Sequence, residues 1–269
     1  MGTWRQTTAA MPPKHRTGFG ILPKHWAIGF AVEGDLRFLS HHDMMRAVER
    51  TFLRAKVPLR FSQGFNPRPT VSLACPRPVG VASLDDLAVV AMDDSAPPPN
   101  AAALLDSLNA TSPRGLRFTR AQPIERKTMH ATRIECELPL TADEAAALPA
   151  RLVELAAQDR WCIQRESGED KAPREIDLKP LVKDLEIAGE ARGADILSAS
   201  AAGVPPATGR QECGRDAHAT TEGETVAVLR WTLLPAGQSW ARPGEVLALL
   251  GLDAEAGLAR VVRRAVQYE

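Results

Sequence analysis

The hydrophobic pattern of the first half begins with a strand and an amphipathic helix. Residues 26–32, WAIGFAV, form a short apolar run that ends at a Glu-Gly-Asp turn and predicts a β-strand. Met45, Val48 and Phe52 then recur at helical spacing until Pro58 interrupts the pattern. Because Ser40 lies three residues before an aspartate, as in a capping box, the pattern predicts a helix over about 41–56.

The rest of the first half continues with strands and one more helix. The pattern predicts strands at 70–76 and 87–93 around a turn at 77–86. It also predicts an Ala/Leu-rich helix at 96–111 and a further strand at 115–124. The resulting order, β-α-β-β-α-β, is typical of a ferredoxin-like sandwich. We therefore predict a first domain over 24–127.

A second β-α-β-β-α-β pattern follows, although no sequence repeat of fixed period accompanies it. Its predicted elements are strands at 132–140 and 161–166, an extended segment at 174–189, strands at 225–234 and 259–269, and helices at 141–159 and 242–252. The chain is thus expected to be an α+β protein with two tandem ferredoxin-like sandwiches and antiparallel sheets, the second domain spanning 128–269.

Two segments are expected to lack a fixed structure. Residues 189–224 are rich in Gly, Ala, Ser, Thr and Pro and predict a flexible insertion. Residues 1–23 carry several basic residues without the apolar core of a secretory signal, so we predict a disordered leader and a cytoplasmic protein.

Composition excludes several classes of protein. Of the 269 residues 44% are hydrophobic and 25% charged, a balance that can bury a core, and no apolar run approaches the roughly 18–20 residues that a membrane span requires. The four cysteines are dispersed, without a CxxC pair or a CxxxCxxC triplet, at Cys75, Cys136, Cys162 and Cys213. We therefore expect no zinc, other metal or iron–sulfur cofactor bound by this chain alone.

Charge is uneven along the chain although it sums to zero. Through residue 75 there are eleven lysines and arginines against four acidic residues, and later segments compensate. Such asymmetry indicates a polyanionic partner. Within the predicted helix, Arg46, Arg50 and Arg54 follow at i, i+4 and i+8 and form one stripe, with Arg60 shortly after. The stripe is either a solvated face or a set of phosphate contacts, for which the planar fork of arginine is well suited.

The segment SQGFNPRP, residues 62–69, concentrates turn residues and polar side chains. Gly64 permits a positive φ, and the two prolines hold the residues before them in extended conformations. The loop would then present Gln63, Asn66 and Arg68 in a stiffened array. Phe65 either anchors this loop in the core or stacks on an unpaired base.

Two adjacent histidines are the weak candidates for catalysis. His41 and His42 lie at the start of the predicted helix, where the helix dipole disfavours an imidazolium, so either is a possible neutral base. A structural role is the alternative. Metal binding is not expected, because adjacent helical positions diverge and no third ligand is in view.

Residues 34–83 carry a family resemblance. The run GDLRFLSHHDMMRAVERTFLRAKVPLRFSQGFNPRPTVSLACPRPVGVAS closely resembles the bacterial radical-SAM-linked protein family, an uncharacterised domain found alone or fused behind a radical SAM enzyme. The resemblance is specific over about 28–95 and weaker elsewhere. It implies association with radical SAM chemistry and, from the genomic company of its members, with RNA processing, but it supplies no known activity or catalytic residues.

Together these patterns predict an accessory protein rather than the enzyme itself. We expect an RNA-binding or substrate-presenting module for a radical SAM enzyme that modifies tRNA or rRNA, with the iron–sulfur cluster and S-adenosylmethionine in that partner. The first alternative is an RNA-processing or RNA-modifying enzyme that uses His41 or His42 as acid or base. The second is a protein-interaction subunit without RNA contact.

Overall fold

The computed structural model describes most of the two predicted domains. The described residues are 25–93, 95, 97, 99–166, 172–188, 227–237 and 239–269. The predicted leader at 1–23 and the predicted insertion at 189–224 lie outside these ranges.

In the first half, the described residues form four strands and two α-helices. Their bounds are β1 His25–Val32, a 3-10 helix Gly34–Phe38, α1 His41–Arg54, β2 Val71–Leu73, β3 Ala82–Ala91, α2 Ala101–Thr111 and β4 Leu116–Ile124. The element types follow the predicted order. Several predicted bounds were wrong: α1 and β2 end earlier than predicted, β3 begins inside the predicted turn, and α2 begins five residues later than predicted.

Local capping explains where α1 and α2 begin and end. The Ser40 side chain accepts a hydrogen bond from the backbone N–H of Asp43 and begins α1 as predicted, whereas the Asn100 side chain begins α2. Helix α1 ends before the predicted residue 56 because Lys56 adopts a positive φ of 54°. Val57 N–H then donates to the carbonyl of Phe52, which closes a Schellman motif.

The second half contains six strands and three helices among the described residues. Their bounds are β5 Ala131–Leu140, α3 Ala142–Ala157, β6 Cys162–Arg165, β7 Arg174–Asp177, β8 Val182–Ala188, β9 Ala227–Leu233, α4 Pro243–Leu249, α5 Ala254–Leu258 and β10 Val262–Tyr268. The predicted extended segment is therefore two strands, and β7 pairs with β6 in a hairpin outside the main sheet. Helix α5 was not predicted.

One eight-stranded sheet runs through both halves, and the protein is of mixed α and β class. The strand order is β4-β1-β3-β10-β5-β9-β8, with β2 paired to β3. The pairings are antiparallel except that of β3 with β10, which joins the two halves in parallel through residues 82–83 and 262–263. Within the described part of the chain, no helix combines the length and the apolar character needed to cross a bilayer.

Two hydrophobic cores lie on either side of this joint. In the first half, α1 and α2 cover the sheet through a cluster that includes Phe30, Phe52 and Phe118, with Phe52 and Phe118 ring centroids 5.6 Å apart. In the second half, Trp231 and several leucines fill a separate cluster. Because one face of α1 packs in the first core, the opposite face of this helix lies at the solvent.

A buried group of charged side chains connects the two halves. Asp86 of β3 lies between Arg77, whose Nε is 3.6 Å from its carboxylate, and Arg263 of β10, whose Nη1 is 3.4 Å away. The Ser83 hydroxyl also donates to Asp86 at 2.7 Å. We call these four residues the junction cluster. All of the three charged side chains are at most 6% exposed, so the cluster is a tertiary joint and not a solvent-facing site.

Candidate nucleic-acid interface

The predicted arginine stripe lies on the exposed face of α1. The opposite face is buried through Met44, Val48, Thr51 and Phe52, which fixes the rotation of the helix on the sheet. Arg46, Arg50 and Arg54 are consequently all exposed. The register of the apolar positions is what turns the three guanidinium groups toward solvent.

Only one arginine of the stripe has an acidic partner on the helix. The Nη1 atom of Arg46 lies 3.2 Å from the Asp43 carboxylate. The Ser40 hydrogen bond, with a smaller contribution from Arg46, lowers the pKa of Asp43, which therefore remains a carboxylate. Neither Arg50 nor Arg54 forms an ion pair with another described residue. Two cations of the stripe are thus available to a ligand.

The SQGFNPRP segment forms a narrow projecting loop, residues 61–69, which we call the finger. Its two sides are joined at the neck, where Phe61 and Pro69 form an antiparallel bridge. Ser62 N–H donates to the Arg68 carbonyl at 2.8 Å, and Arg68 N–H donates to the Ser62 hydroxyl at 3.0 Å. These bonds restrict the conformations of the neck.

The base of the finger is tied to the end of β3. Arg60 N–H donates to the Ala91 carbonyl at 2.8 Å, and Ala91 N–H donates to the Thr70 carbonyl at 2.9 Å. Leu59, 5% exposed, pairs with Met92 and is buried in the first core. The base of the finger is therefore hydrogen-bonded to the sheet, and the backbone of β3 fixes its orientation.

The tip of the finger is fully open to solvent. Residues 61–68 are all exposed, and Phe65 has a relative accessibility of 102%, so the interpretation of Phe65 as a core anchor is wrong. Gly64 does not adopt the positive φ that the sequence allowed. The polar side chains of Gln63, Asn66 and Arg68 form no hydrogen bond or ion pair with other described residues.

The stripe and the finger belong to neighbouring stretches of the chain. Five residues separate Arg54, at the end of α1, from Arg60, at the base of the finger. With 3.8 Å between consecutive Cα atoms, the two residues are at most about 23 Å apart. Helix α1 also contacts β2, the strand that follows the finger.

Arg60 differs from the other predicted phosphate contacts. It is half-buried and takes part in interactions of its own. Its charge helps to lower the pKa of Asp93, after the larger effect of hydrogen bonds from Ser95. Arg60 is therefore better suited to positioning the base of the finger than to reaching a phosphate.

The two candidate histidines lie side by side at the first turn of α1. Their ring centroids are 5.9 Å apart, and His42 is exposed while His41 is half-buried. His42 makes a minor contribution to the lowered pKa of Asp43, after the larger effect of the Ser40 hydrogen bond. Within the described ranges there is no group of three His, Cys, Asp or Glu side chains arranged to hold a metal ion.

A charged groove on the sheet of the second half was not anticipated from the sequence. Its side chains come from β5, β8, β9 and β10, and include Arg133, Glu135, Glu137, Asp184, Arg230, Thr232 and Arg264. Arg133 lies 2.9 Å from Asp184, and Glu137 lies within 3.2 Å of both Arg230 and Arg264. The alternation of charged residues in β5 is the signal that points to this face. Its arginines are already paired with acids, unlike those at positions 50 and 54.

Comparisons with known proteins indicate a family rather than an activity. Among solved structures, the crystal structure of an unknown protein from Galdieria sulphuraria is 11% identical, over 91% of this chain and 97% of that chain, with a TM-score of 0.21. No curated protein matches the chain. A family model, described as an uncharacterised protein conserved in bacteria (DUF2344), matches residues 26–206. That match covers both the stripe and the finger and well over half of the 269 residues, and the chain therefore belongs to this bacterial family of uncharacterised proteins.

Proposed function

We propose that this protein is a cytosolic RNA-binding accessory protein that presents tRNA or rRNA to a radical SAM enzyme for modification. The observation that carries the proposal is the pair of exposed arginines without an acidic partner, Arg50 and Arg54, on the helix that leads to the finger. The likeness of residues 34–83 to the radical-SAM-linked family supports the choice of partner enzyme.

The stripe has the chemistry of a phosphate-binding surface. Like charges at i and i+4 on a helix cost a few tenths of a kcal/mol per pair, about 0.2–0.5 kcal/mol. Phosphates would remove this repulsion, and arginine can bind them with two parallel hydrogen bonds. Arg50 and Arg54 would contact phosphates of the RNA backbone, and the exposed side chains of the finger would contact a nucleotide of the same RNA.

We further propose that the chain is built from two tandem ferredoxin-like units. The strand orders β4-β1-β3-β2 and β10-β5-β9-β8 support this proposal, because each is the order of a β-α-β-β-α-β sandwich. In this interpretation the β6–β7 hairpin is an addition to the second unit. The proposed RNA contacts depend on the stripe and the finger, since a ferredoxin-like fold by itself specifies no function.

The radical SAM cofactors would belong to the partner enzyme. The sequence has no CxxxCxxC triplet. Burial raises the pKa of the Cys136 thiol to about 12 and also raises that of Cys75, so the thiolate form that a cluster requires is disfavoured at both positions. These two cysteines therefore do not fit an iron–sulfur cluster.

A salt titration of RNA binding tests the proposal. Binding of a labelled single-stranded RNA should weaken with salt, with log K falling by about 0.7 per phosphate neutralised for each unit of log salt concentration. The double variant Arg50→Gln/Arg54→Gln should lower that slope by up to about 1.4. Arg117→Gln is the matched control, because Arg117 is an exposed arginine on the edge strand β4.

The outcomes separate the proposal from its alternative. An unchanged slope in the double variant, or the absence of RNA binding at low salt, would overturn the RNA assignment. If the protein instead binds the radical SAM enzyme without RNA affinity, and the double variant loses that binding, the protein-interaction subunit is the better account.

A further inference from the structure

The finger combines a fixed neck with a fully exposed aromatic tip. Of the phenylalanines at positions 30, 52, 65 and 118, three are at most 2% exposed and belong to the first core, whereas Phe65 is 102% exposed. Two hydrogen bonds between Ser62 and Arg68 close the neck of the finger. Because the neck is already ordered, little conformational entropy is lost when the tip binds a partner.

The polar groups around Phe65 match the edge of a nucleobase. Gln63 and Asn66 each carry one acceptor and two donors on a side-chain amide, and neither amide is engaged with another described residue. Amides of this kind bind the mixed donor and acceptor edges of bases. A phosphate offers acceptors only and would bond to the amide N–H groups alone, whereas a base edge can also donate to the amide oxygens.

The exposed aromatic tip of the finger favours an unpaired base over a duplex. In A-form RNA the major groove is too deep and narrow for side chains to reach base edges, and the bases are stacked on one another. An unpaired base exposes both its face and its edge. Aromatic side chains bind such faces with little dependence on sequence.

We infer that the finger binds one unpaired nucleobase of a single-stranded RNA segment, with the base stacked on Phe65 and its edge bonded to Gln63 or Asn66. The inference rests on the proposed function and adds the class of RNA that the protein takes. In this arrangement the finger selects single-stranded RNA, while Arg50 and Arg54 supply affinity that does not depend on sequence.

Fluorescence anisotropy with two labelled RNAs tests the inference. The probes are a 12-nucleotide single strand and the same strand annealed to its complement, both at fixed low salt. We expect the single strand to bind at least tenfold more tightly. Phe65→Ala should weaken its binding by roughly 5- to 150-fold, from about 1–3 kcal/mol per stacked base.

Conservative variants distinguish stacking from a general apolar contact. Phe65→Tyr should retain binding, whereas Phe65→Leu should lose nearly as much as Phe65→Ala because leucine has no π-face. None of the three variants should change the salt slope, since Phe65 does not contact a phosphate. Val153→Ala is the matched control, as Val153 is 71% exposed on α3 in the other half of the chain.

Equal affinity for both RNAs, or unchanged binding by Phe65→Ala, would overturn the inference while leaving the proposed function in place. Failure of the proposed function has a different signature, because neither RNA would bind at low salt. Retention of binding by Phe65→Leu would also overturn the stacking assignment. Full exposure of Phe65 predicts that every variant keeps the thermal stability of the wild type.

Discussion

Replacing Asp86 in the junction cluster should destabilise the whole protein. The substitution Asp86→Asn keeps the shape of the side chain and an acceptor for the Ser83 hydroxyl, but removes the negative charge between Arg77 and Arg263. Both guanidinium groups would then lie buried without a counter-charge. Burial already lowers the pKa of Arg77, and the charge of Asp86 opposes that effect. Without Asp86, no negative charge among the described residues would offset the free energy of burying the Arg77 guanidinium.

The structure sets the expected magnitude. Removal of one partner from a buried ion pair costs about 3–5 kcal/mol, because the remaining charge has neither solvent nor partner. Backbone carbonyls still hold the arginines, through Arg77 to the Arg37 carbonyl at 2.8 Å and Arg263 to the Pro76 carbonyl at 2.7 Å. We therefore expect the low end of that range, a loss of about 3 kcal/mol in the free energy of unfolding.

Urea unfolding followed by tryptophan fluorescence measures this loss in both halves at once, since Trp26 lies in the first core and Trp231 in the second. Asp106→Asn, at an exposed position of α2, should change stability by no more than about 0.5 kcal/mol. Adding Arg263→Met to Asp86→Asn should restore part of the stability, a coupling of at least about 0.5 kcal/mol. A loss below 1 kcal/mol for Asp86→Asn, or strictly additive effects in the double variant, would refute the reasoning.

Three further predictions concern a pH effect, a helix end and catalysis. Hydrogen bonds from Arg260 lower the pKa of Glu144 below its ordinary 4.5. Its stabilisation is therefore present above about pH 4.5 and lost as pH falls through the folded-state pKa, so thermal melts should show the deficit of Glu144→Gln shrinking between pH 6 and pH 3. Lys56→Gly should raise stability by about 0.5–1 kcal/mol in urea unfolding, because glycine adopts the positive φ at the end of α1 without strain, and a decrease would contradict the Schellman assignment. If this chain is an accessory module, His41→Ala and His42→Ala should leave the rate of RNA modification in the reconstituted system unchanged, whereas loss of turnover with intact binding would favour the enzyme.

Local patterns were sufficient to place most elements. The apolar spacing of α1, its Ser40 cap and the alternation in β5 depend on residues close in sequence, and the predicted element types agree with the structure there. One bound that was wrong, the end of α1, depends on an unusual backbone conformation that the apolar pattern does not encode. Helix α1 ends early because Lys56 takes a conformation usually reserved for glycine or asparagine.

The pairing of strands could not be read from local patterns. Residues 82–86 have a turn-like sequence, yet they are strand because β1 and β10 pair with β3 on its two sides. The β6–β7 hairpin also separates from the main sheet, a partition that the extended pattern at 174–189 does not encode. Such choices depend on partners far along the chain.

The candidate site divides in the same way. Sequence alone determined that a basic helix and a proline-rich turn follow one another in a bacterial family protein, since residue type and spacing suffice for that. Only the tertiary structure decided that Phe65 lies outside the core. It also decided that Arg46 has an acidic partner while Arg50 and Arg54 have none among the described residues. Likewise, only packing places Arg77 and Arg263 in buried ion pairs with Asp86. The physical reason is that exposure and charge pairing depend on which distant groups packing brings within a few ångströms, and spacing along the chain does not specify those groups.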